Sequence, residues 1–381
     1  MTGICGIKTP KSNYDKKDIN RMLKCLSHRG NKYKEIYQDE SVIIGIQGNT
    51  KDRINECKNH KMFVDGVIYN KRDLIDELNI GISNKTNDPE FLSLLYEKYG
   101  SNIFEKLNGD FICIKWEPEV DELGFTKYLT NNKNIFYRKK GNTLFFSSEM
   151  KSILNLPFFK NKIDYKSVSD FITFGHIPFP NTLFSNIKRI PPLSFVKYNN
   201  GEFQTEKLNF FHVNSEKKMK DINNIIKKME FYFDNAIRKR LNICNNFGLY
   251  LSGGIDSSTI LYFLDKYSKK PVNTYTVALS DDGPYAKRVS NYFNTNHLEK
   301  KLEGQELINV VPKALWHLEY PQDHAGIFQY FLPKISKNER IIFWGQGGEE
   351  AVFGRKDYVA LNVIKNIKNF FPNSLKKNSK Q

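Results

Sequence analysis

One stretch of the sequence constrains the fold more than any other: residues 247–258, which read FGLYLSGGIDSS. Apolar and aromatic residues lead into a Ser-Gly-Gly turn, and an apolar helical pattern follows at 259–264. This order is typical of a buried parallel strand, a tight loop and a helix. We therefore predict a strand, a loop and a helix, as in an α/β domain.

The loop also predicts a binding site for an anion. Gly253 and Gly254 let the backbone approach a ligand closely, and amides at a helix N-terminus face anions. Asp256 would repel phosphate on its own, so it fits best as a ligand of a bridging Mg²⁺. No Gly-Lys-Ser/Thr sequence follows, so the stretch is not a P-loop. Three hydroxyls add hydrogen-bond donors, which favours a ligand over a glycine-rich turn that binds nothing: Ser252, Ser257 and Ser258.

This stretch resembles the SGGxDSS pyrophosphate loop of the asparagine synthetase family, which splits ATP into AMP and pyrophosphate. The resemblance implies that the loop holds pyrophosphate and that Leu251 and Val277 lie against the adenine. Residues 344–350, WGQGGEE, resemble the SGEGADE motif of the same family. That second resemblance implies that Glu349 joins Asp256 on Mg²⁺.

Two positions of the second motif depart from the family pattern. The resemblance places Trp344 and Gly345 beside the nucleotide, with Trp344 in the place of a serine. Gln346 stands where the family has a glutamate that handles incoming ammonia. A neutral amide cannot act as a general base, so we expect that step to be altered.

Residues 1–155 resemble the glutamine-hydrolysing half of the family, an α+β fold with two stacked antiparallel sheets between helices. The resemblance rests on three motifs, SHRG at 27–30, VDGVIYN at 64–70 and SSEMK at 147–151. Apolar spacing predicts a helix at about residues 16–27, which ends in the first of these motifs.

The residues of that glutaminase site are altered. Thr2 takes the place of the cysteine nucleophile, and Asp65 replaces the asparagine of the oxyanion hole. A carboxylate repels an oxyanion, and one lost donor costs about 3–4 kcal/mol in other hydrolases. Asp88 matches the aspartate that contacts the glutamine amine. We expect a structural role for this half, with Cys5 and Cys25 as small buried hydrophobic residues.

Further elements follow from hydrophobic periodicity. A helix is predicted at 220–240, and strands are predicted at 273–279 and 341–344. The helix should bury one face, formed by Ile222, Ile225, Ile226, Met229, Tyr232, Phe233 and Ile237. Alternating strands and helices in this half predict a Rossmann-like α/β domain with nucleotide-binding loops at the strand ends, and the resemblance implies that the nucleotide is ATP.

We expect three segments in the chain: an amidotransferase-like domain at 1–155, a turn-rich connector at 156–215 and an ATP-binding domain at 216–381. The resemblance implies a longer helical C-terminal region with a catalytic lysine. Against that pattern the second domain is short, and a protein subunit could supply the missing part.

Composition narrows the location and the partners. The 381 residues contain neither an apolar run long enough for a bilayer nor a signal-peptide core. Five scattered cysteines without a CxxC pair indicate a reducing, cytoplasmic setting. The net charge is +16, but the lysines are spread along the chain, so we expect no nucleic-acid partner.

The resemblance predicts a carbon–nitrogen ligase with ATP and Mg²⁺ as cofactors. A carboxylate, aspartate in the family, would be adenylated, and glutamine or ammonia would supply nitrogen, as in asparagine biosynthesis. Two alternatives stay open. One is an amide-forming ligase of the β-lactam synthetase or lasso cyclase type with an inactive glutaminase half. The other is a catalytically silent nucleotide-binding paralogue or partner subunit.

Overall fold

A computed structural model describes residues 2–10, 14–51, 54–56, 59–83, 86–128, 133–209, 221–279, 284–319 and 324–351. The chain divides into two compact units. Unit 1 comprises residues 1–218 and 311–325, and unit 2 comprises residues 219–310 and 326–381. No helix among the described residues is long and apolar enough to cross a membrane.

Unit 1 contains two six-stranded antiparallel sheets. Strand order is β10-β8-β9-β1-β3-β2 in the first sheet and β12-β11-β7-β6-β5-β4 in the second. The strands are β1 (Thr2–Lys8), β2 (Tyr33–Gln38), β3 (Val42–Gly48), β4 (Ile54–Glu56), β5 (Lys61–Ile68), β6 (Gly109–Glu117), β7 (Glu122–Lys127), β8 (Phe136–Lys140), β9 (Thr143–Ser147), β10 (Lys188–Arg189), β11 (Ser194–Asn199) and β12 (Glu202–Lys207).

Alternation along β1 explains why the two sheets stack. Ile4 faces a core that both sheets share, together with Ile44 from the first sheet and Ile112 from the second. Cys5 and Ile7 point to the opposite face, where the first helix covers them. Successive residues of a strand point to opposite faces, so a strand that is apolar throughout is buried on both sides.

Helices cover the outer faces of both sheets. The first helix lies on the first sheet, and Phe91, Leu92 and Leu95 of the third helix lie on the second. The predicted arrangement of stacked antiparallel sheets between helices is therefore confirmed for unit 1. Its helices are α1 (Lys16–Cys25), α2 (Lys71–Glu77), α3 (Asp88–Tyr99), α4 (Ile103–Lys106), α5 (Met150–Leu154) and α6 (Tyr165–Phe174), with 3₁₀ turns at Ser27–Arg29 and Gly100–Asn102.

The segment expected to be a connector, 156–215, contributes to the sheets. Within it, β10 pairs with β8, and β11 pairs with both β7 and β12. The short strands could not be predicted from this turn-rich sequence, because they form by pairing with strands that are distant in the sequence. The domain limits at 155 and 215 remain predictions.

Unit 2 is built on a four-stranded parallel sheet of order β15-β14-β13-β16. Its strands are β13 (Phe247–Tyr250), β14 (Asn273–Leu279), β15 (Asn296–Leu302) and β16 (Ile341–Trp344). The remaining helices are α7 (Ile222–Leu241), α8 (Ile255–Tyr267), α9 (Pro284–Tyr292), α10 (Gly304–Leu318), α11 (His324–Gln329), α12 (Leu332–Ile335) and α13 (Gly348–Ala351). The predicted strands at 273–279 and 341–344 are confirmed.

Helix α7 forms where it was predicted, but its buried face is shorter than expected. Ile237 is buried, and Phe233 stacks on Phe263 of α8 with ring centroids 5.8 Å apart. The expected burial is wrong for the first turns, because among the described residues only the last turns of α7 pack into the core of unit 2. The exposed positions are Ile222, Ile226, Met229 and Tyr232.

Candidate active site

The Ser-Gly-Gly loop connects β13 to α8, as predicted. Gly253 has φ +77°, a value that favours glycine. A Cβ atom at this position would lie 2.4 Å from the carbonyl carbon of Tyr285 in α9. Glycine is therefore required both by the backbone conformation and by the close approach of α9.

Two of the predicted phosphate-binding hydroxyls hold the loop itself. The hydroxyls of Ser252 and Ser257 lie 3.1 Å apart, and Ser257 also donates to the carbonyl of Gly254 at 3.2 Å. Ser257 is buried, whereas Ser252 is exposed. Ser252 can therefore face a ligand, while Ser257 acts first on the shape of the loop.

The first turn of α8 leaves its backbone amides available. Gly254 is the N-cap residue, and no side chain caps the helix there. The first amides of a helix have no intrahelical partner, and they carry the positive end of the helix dipole. Ser258, whose amide bonds the Gly254 carbonyl at 3.0 Å, already lies within the hydrogen-bonded helix. The amides before it can bind an anion.

The structure brings Asp256 against the second predicted loop, 345–348. A Cβ atom at Gly348 would lie 2.5 Å from Asp256 Cγ, and one at Gly345 would lie 3.0 Å from Asp256 Cβ. Glu349 follows Gly348 in the chain and is exposed. The two predicted metal ligands therefore lie in the first turns of α8 and α13, which follow the adjacent parallel strands β13 and β16 at one edge of the sheet.

Asp256 and Glu349 are the two carboxylates that the sequence predicts as magnesium ligands. Mg²⁺ is commonly held by one or two carboxylates together with substrate phosphates and water. Within the described ranges, no group of three or more His, Cys, Asp or Glu side chains could hold a metal ion by itself.

The residues predicted to lie beside the nucleotide, and Gln346 near them, differ in how far their side chains are buried. The Leu251 side chain is buried in the core of unit 2, and its backbone amide bonds the Tyr275 carbonyl at 2.9 Å. Val277 is half-buried beside Leu302 and Phe331. Trp344 is partly exposed and packs edge-on against Tyr250, with ring centroids 5.9 Å apart. Gln346 is exposed.

In unit 1, Thr2 and Asp65 lie in direct contact. The Asp65 carboxylate accepts a hydrogen bond from the Thr2 backbone nitrogen at 3.0 Å. Both residues are only 1% exposed. The Thr2 hydroxyl oxygen is buried and has no hydrogen-bond partner within the described chain.

Two cations that the sequence analysis missed neutralise Asp65. Its Oδ2 atom lies 3.1 Å from an Arg29 nitrogen and 2.9 Å from Lys133 Nζ. Arg29 also donates to the Thr2 carbonyl at 3.1 Å. A carboxylate buried this deeply requires cationic or donor partners. A buried Asp65 therefore implies a cation nearby, but the sequence does not show which residue supplies it. Arg29 stands in the SHRG motif.

Glu149 joins the same cluster. It pairs with Arg29 and accepts a hydrogen bond from His28 Nε2 at 2.9 Å, and Lys151 Nζ lies 2.7 Å away. Burial raises the pKa of Glu149, but the His28 hydrogen bond and the charges of Arg29 and Lys151 outweigh it and lower the pKa to about 2. Glu149 is therefore ionised at neutral pH.

Glu319 extends this cluster to the end of α10. Its carboxylate accepts hydrogen bonds from the backbone nitrogens of Met150 at 2.6 Å and Lys151 at 2.7 Å. Burial raises the pKa of Glu319, although Lys151 and the backbone hydrogen bonds oppose the rise. Residues 320–323, which follow Glu319 in the chain, lie outside the described residues.

The remaining predicted residues of unit 1 have structural partners. Asp88, expected to contact a substrate amine, pairs with Lys71 at 3.3 Å. Cys5 is fully buried, and burial raises the pKa of its thiol far above the usual range. Cys5 is therefore a small buried residue, as expected, whereas Cys25 is half-buried.

The two units define a protein with an amidotransferase-type antiparallel half and a parallel α/β half. Residues 1–209 match the family model of the glutamine amidotransferase domain, and residues 229–380 match that of asparagine synthase. The chain belongs to the asparagine synthetase family.

Relatives of known name support this assignment. Asparagine synthetase [glutamine-hydrolyzing] 3 of Bacillus subtilis is 25% identical over 93% of this chain and 63% of its own length. Asparagine synthetase [glutamine-hydrolyzing] 1 of the same organism is 25% identical over 88% of this chain and 55% of its own length. The chain thus spans a little over half the length of these relatives.

Among solved structures, the chain is similar to glutamine phosphoribosylpyrophosphate amidotransferase from Bacillus subtilis, complexed with ADP and GMP. The TM-score is 0.42 at 11% identity, covering 85% of this chain and 94% of that one. A likeness at this level is too distant to bear on function.

Proposed function

We propose that the protein is an AMP-forming ligase that activates a carboxylate, aspartate by family, with ATP and transfers nitrogen to it. The observation that carries the proposal is the placement of Asp256 against the 345–348 loop, beside the uncapped start of α8. Family membership supports ATP use. The cytoplasm would be the setting of this reaction.

The parallel sheet supports the nucleotide part of the proposal. Its strand order places the second and third strands on one side of the first and the fourth on the other, as in doubly wound Rossmann-like folds. Such folds bind ligands outside the carboxyl ends of the strands, where the order reverses. Here that point lies between β13 and β16, and the loops after these strands lead into the helix turns that carry Asp256 and Glu349.

Each residue then has a definite task. The first amides of α8 and the exposed Ser252 hydroxyl would bind pyrophosphate oxygens, and Gly253 leaves room for the backbone approach. Asp256 and Glu349 would hold Mg²⁺, which neutralises phosphate charge when it is bound. Positioning and charge neutralisation supply most of the catalysis in reactions at phosphate. Trp344 would border the nucleotide.

The nitrogen source follows from unit 1. Glutamine hydrolysis needs a nucleophile and an oxyanion donor, but Asp65 fills the donor position with a buried carboxylate. Arg29 and Lys133 fix that carboxylate in place. We therefore propose that unit 1 is inactive towards glutamine and that ammonia or an amine supplies the nitrogen.

The contact between Thr2 and Asp65 also favours a second candidate, a ligase that uses an amine of its own substrate. Such an enzyme needs no glutaminase activity, so an inactive site at Thr2 and Asp65 would not impair it. The two candidates share the adenylation step and differ only in the nucleophile. Adding ammonia or amine-bearing acids to an adenylation assay separates them.

The test is ATP–pyrophosphate exchange with the purified chain, with and without aspartate. Exchange that depends on aspartate supports the first candidate, and exchange that depends on a different, amine-bearing acid supports the second. The Asp256→Asn variant should abolish exchange. Asp265→Asn is a matched control, because Asp265 is an exposed carboxylate on the same helix, α8. ATP binding without exchange for any acid would contradict the proposal and indicate a silent nucleotide-binding chain or partner subunit.

A further inference from the structure

A cavity of about 710 Å³ lies at the amino ends of the parallel strands in unit 2. Its walls come from the segments just before or at the start of β13, β14, β15 and β16. The amino ends of parallel strands meet at one edge of a sheet, and the carboxyl ends meet at the other. The cavity is therefore remote from the loops that carry Asp256 and Glu349. Its volume falls within the range of small-molecule pockets.

A single carboxylate is held in place in the wall of this cavity. Glu339 Oε1 accepts hydrogen bonds from the Tyr275 hydroxyl at 2.6 Å and from Asn273 Nδ2 at 2.9 Å. Asn273 is held in turn by Asn296, which donates to its Oδ1 atom at 3.1 Å. Both bonds to the carboxylate use Oε1, so Oε2 remains available to a ligand within the described chain. All four of these residues line the cavity.

The sequence leaves space for this arrangement at Gly248 in β13. A Cβ atom there would lie 2.8 Å from Tyr275 Cε2 and 3.1 Å from Glu339 Cγ. Contacts this short would force both side chains to move. The bare glycine thus allows the phenol and the carboxylate to approach the strand and meet each other.

The charges around the cavity are complementary to a zwitterion. Lys270, which is exposed, also lines the wall, and no ion pair joins it to Glu339 among the described residues. Burial lowers the pKa of His297, which also lines the wall, so its imidazole adds no charge at neutral pH. Amide groups surround the two charges and can pair with polar groups of a ligand: Asn245, Asn246, Asn273, Asn296 and Asn338.

We propose that this cavity is a second small-molecule site that binds zwitterionic amino acids, with the ligand ammonium on Glu339 and its carboxylate at Lys270. Charge-assisted hydrogen bonds are the strong ones in such sites. A pre-ordered carboxylate with a free oxygen is suited to a primary ammonium. The site goes beyond the proposed adenylation reaction and does not depend on it.

Isothermal titration calorimetry with L-asparagine and L-serine tests this proposal. We expect binding at millimolar concentration or better, and no binding of succinamate, which is asparagine without its amine. Glu339→Gln should weaken binding by about tenfold or more, because a hydrogen bond to a charged group is lost. The glutamine oxygen can still accept from Tyr275 and Asn273, so the fold should persist. Lys270→Gln, at an exposed position, should weaken binding as well.

Two controls separate this site from the adenylation site. Glu306→Gln removes an exposed carboxylate of unit 2 that pairs with Lys300 and does not line the cavity, so binding should stay unchanged. Asp256→Asn should also leave amino-acid binding unchanged while abolishing pyrophosphate exchange. Binding that is lost in Asp256→Asn, unaffected in Glu339→Gln, or absent from the wild-type chain would overturn the proposal.

Discussion

The Asp65 carboxylate and the Thr2 backbone nitrogen form a buried hydrogen bond of 3.0 Å. This contact places a fixed negative charge beside the residue that stands at the nucleophile position. Arg29 and Lys133 balance that charge. The buried cluster is thus organised around its own carboxylate, and the Asp65 side chain has no hydrogen-bond donor to offer an oxyanion formed there.

The first prediction is that the protein releases no glutamate from glutamine. The loss of one oxyanion donor alone lowers such rates by about a hundredfold to a thousandfold, and the Asp65 carboxylate can only accept hydrogen bonds. A coupled glutamate assay on the purified chain measures this directly. Glutamate release that disappears in Thr2→Ala would contradict the prediction and assign Thr2 as the nucleophile.

The second prediction concerns stability. In Asp65→Asn the amide oxygen can still accept a hydrogen bond from the Thr2 nitrogen. Lys133 loses its counter-ion, however, and Arg29 loses one of its carboxylate partners while it keeps Glu149. Breaking a buried ion pair on one side is strongly destabilising. Because Lys133 can still turn towards water, we expect a loss of about 2–3 kcal/mol in the free energy of unfolding, measured in urea.

Glu77→Gln is the matched control for this variant. The Glu77–Lys106 pair in unit 1 has a similar distance, 2.7 Å, but both side chains are at least half exposed. Exposed ion pairs contribute below about 1 kcal/mol. Equal losses in the two variants would show that the Asp65 cluster does not behave as a buried ion network.

Local sequence patterns predicted much of the fold. The apolar run before the Ser-Gly-Gly turn became β13, and the helix after it became α8, because burial of a short strand and the glycine conformations are encoded within the stretch itself. Helix α7 shows the limit of this reasoning. Its apolar spacing predicted one continuous buried face, but burial depends on which neighbours reach each turn. Of the predicted face, only Phe233 and Ile237 join the core among the described residues of unit 2.

The candidate sites show a similar limit. The substitution at Asp65 could be recognised from its motif, but its partners Arg29 and Lys133 lie 36 and 68 residues away in sequence. The chain contains 58 lysines and arginines, and no local pattern selects these two. The roles proposed for Asp256 and Glu349 remain predictions from motif resemblance, supported by the loops that the parallel sheet brings together.

The third prediction is a defined loss of stability in acid through Glu149. Its pKa in the folded chain is about 2, below the usual value of 4.5. A carboxyl group whose pKa is lowered on folding stabilises the fold when the pH is above its pKa in the unfolded chain. For Glu149 this contribution is lost as the pH falls from about 4.5 to about 2. In Glu149→Gln, the free energy of unfolding should therefore depend less steeply on pH in that window.

Glu319 provides a separate window for comparison. Burial raises its pKa, so its effect has the opposite sign and appears above pH 4.5: ionisation of Glu319 costs stability as pH rises. Urea titrations of wild type, Glu149→Gln and Glu319→Gln across pH distinguish the two groups. An acid limb that is unchanged in Glu149→Gln would mean that its ion pairs do not persist in solution.

The fourth prediction tests the position of Asp256 without changing any charge. In Gly348→Ala, the new Cβ atom would lie 2.5 Å from Asp256 Cγ, so the carboxylate must move. Displacing a catalytic group by about 1 Å can cost about a hundredfold in rate, and we expect a loss of that size in ATP–pyrophosphate exchange.

The control is Gly304→Ala, where a Cβ atom would meet nothing within 4 Å. Both glycines begin a helix, α13 and α10, so the two variants change helix propensity alike. Equal exchange rates in the two variants would show that the Asp256 carboxylate does not need the space beside Gly348, which would remove the main support for its role on the metal.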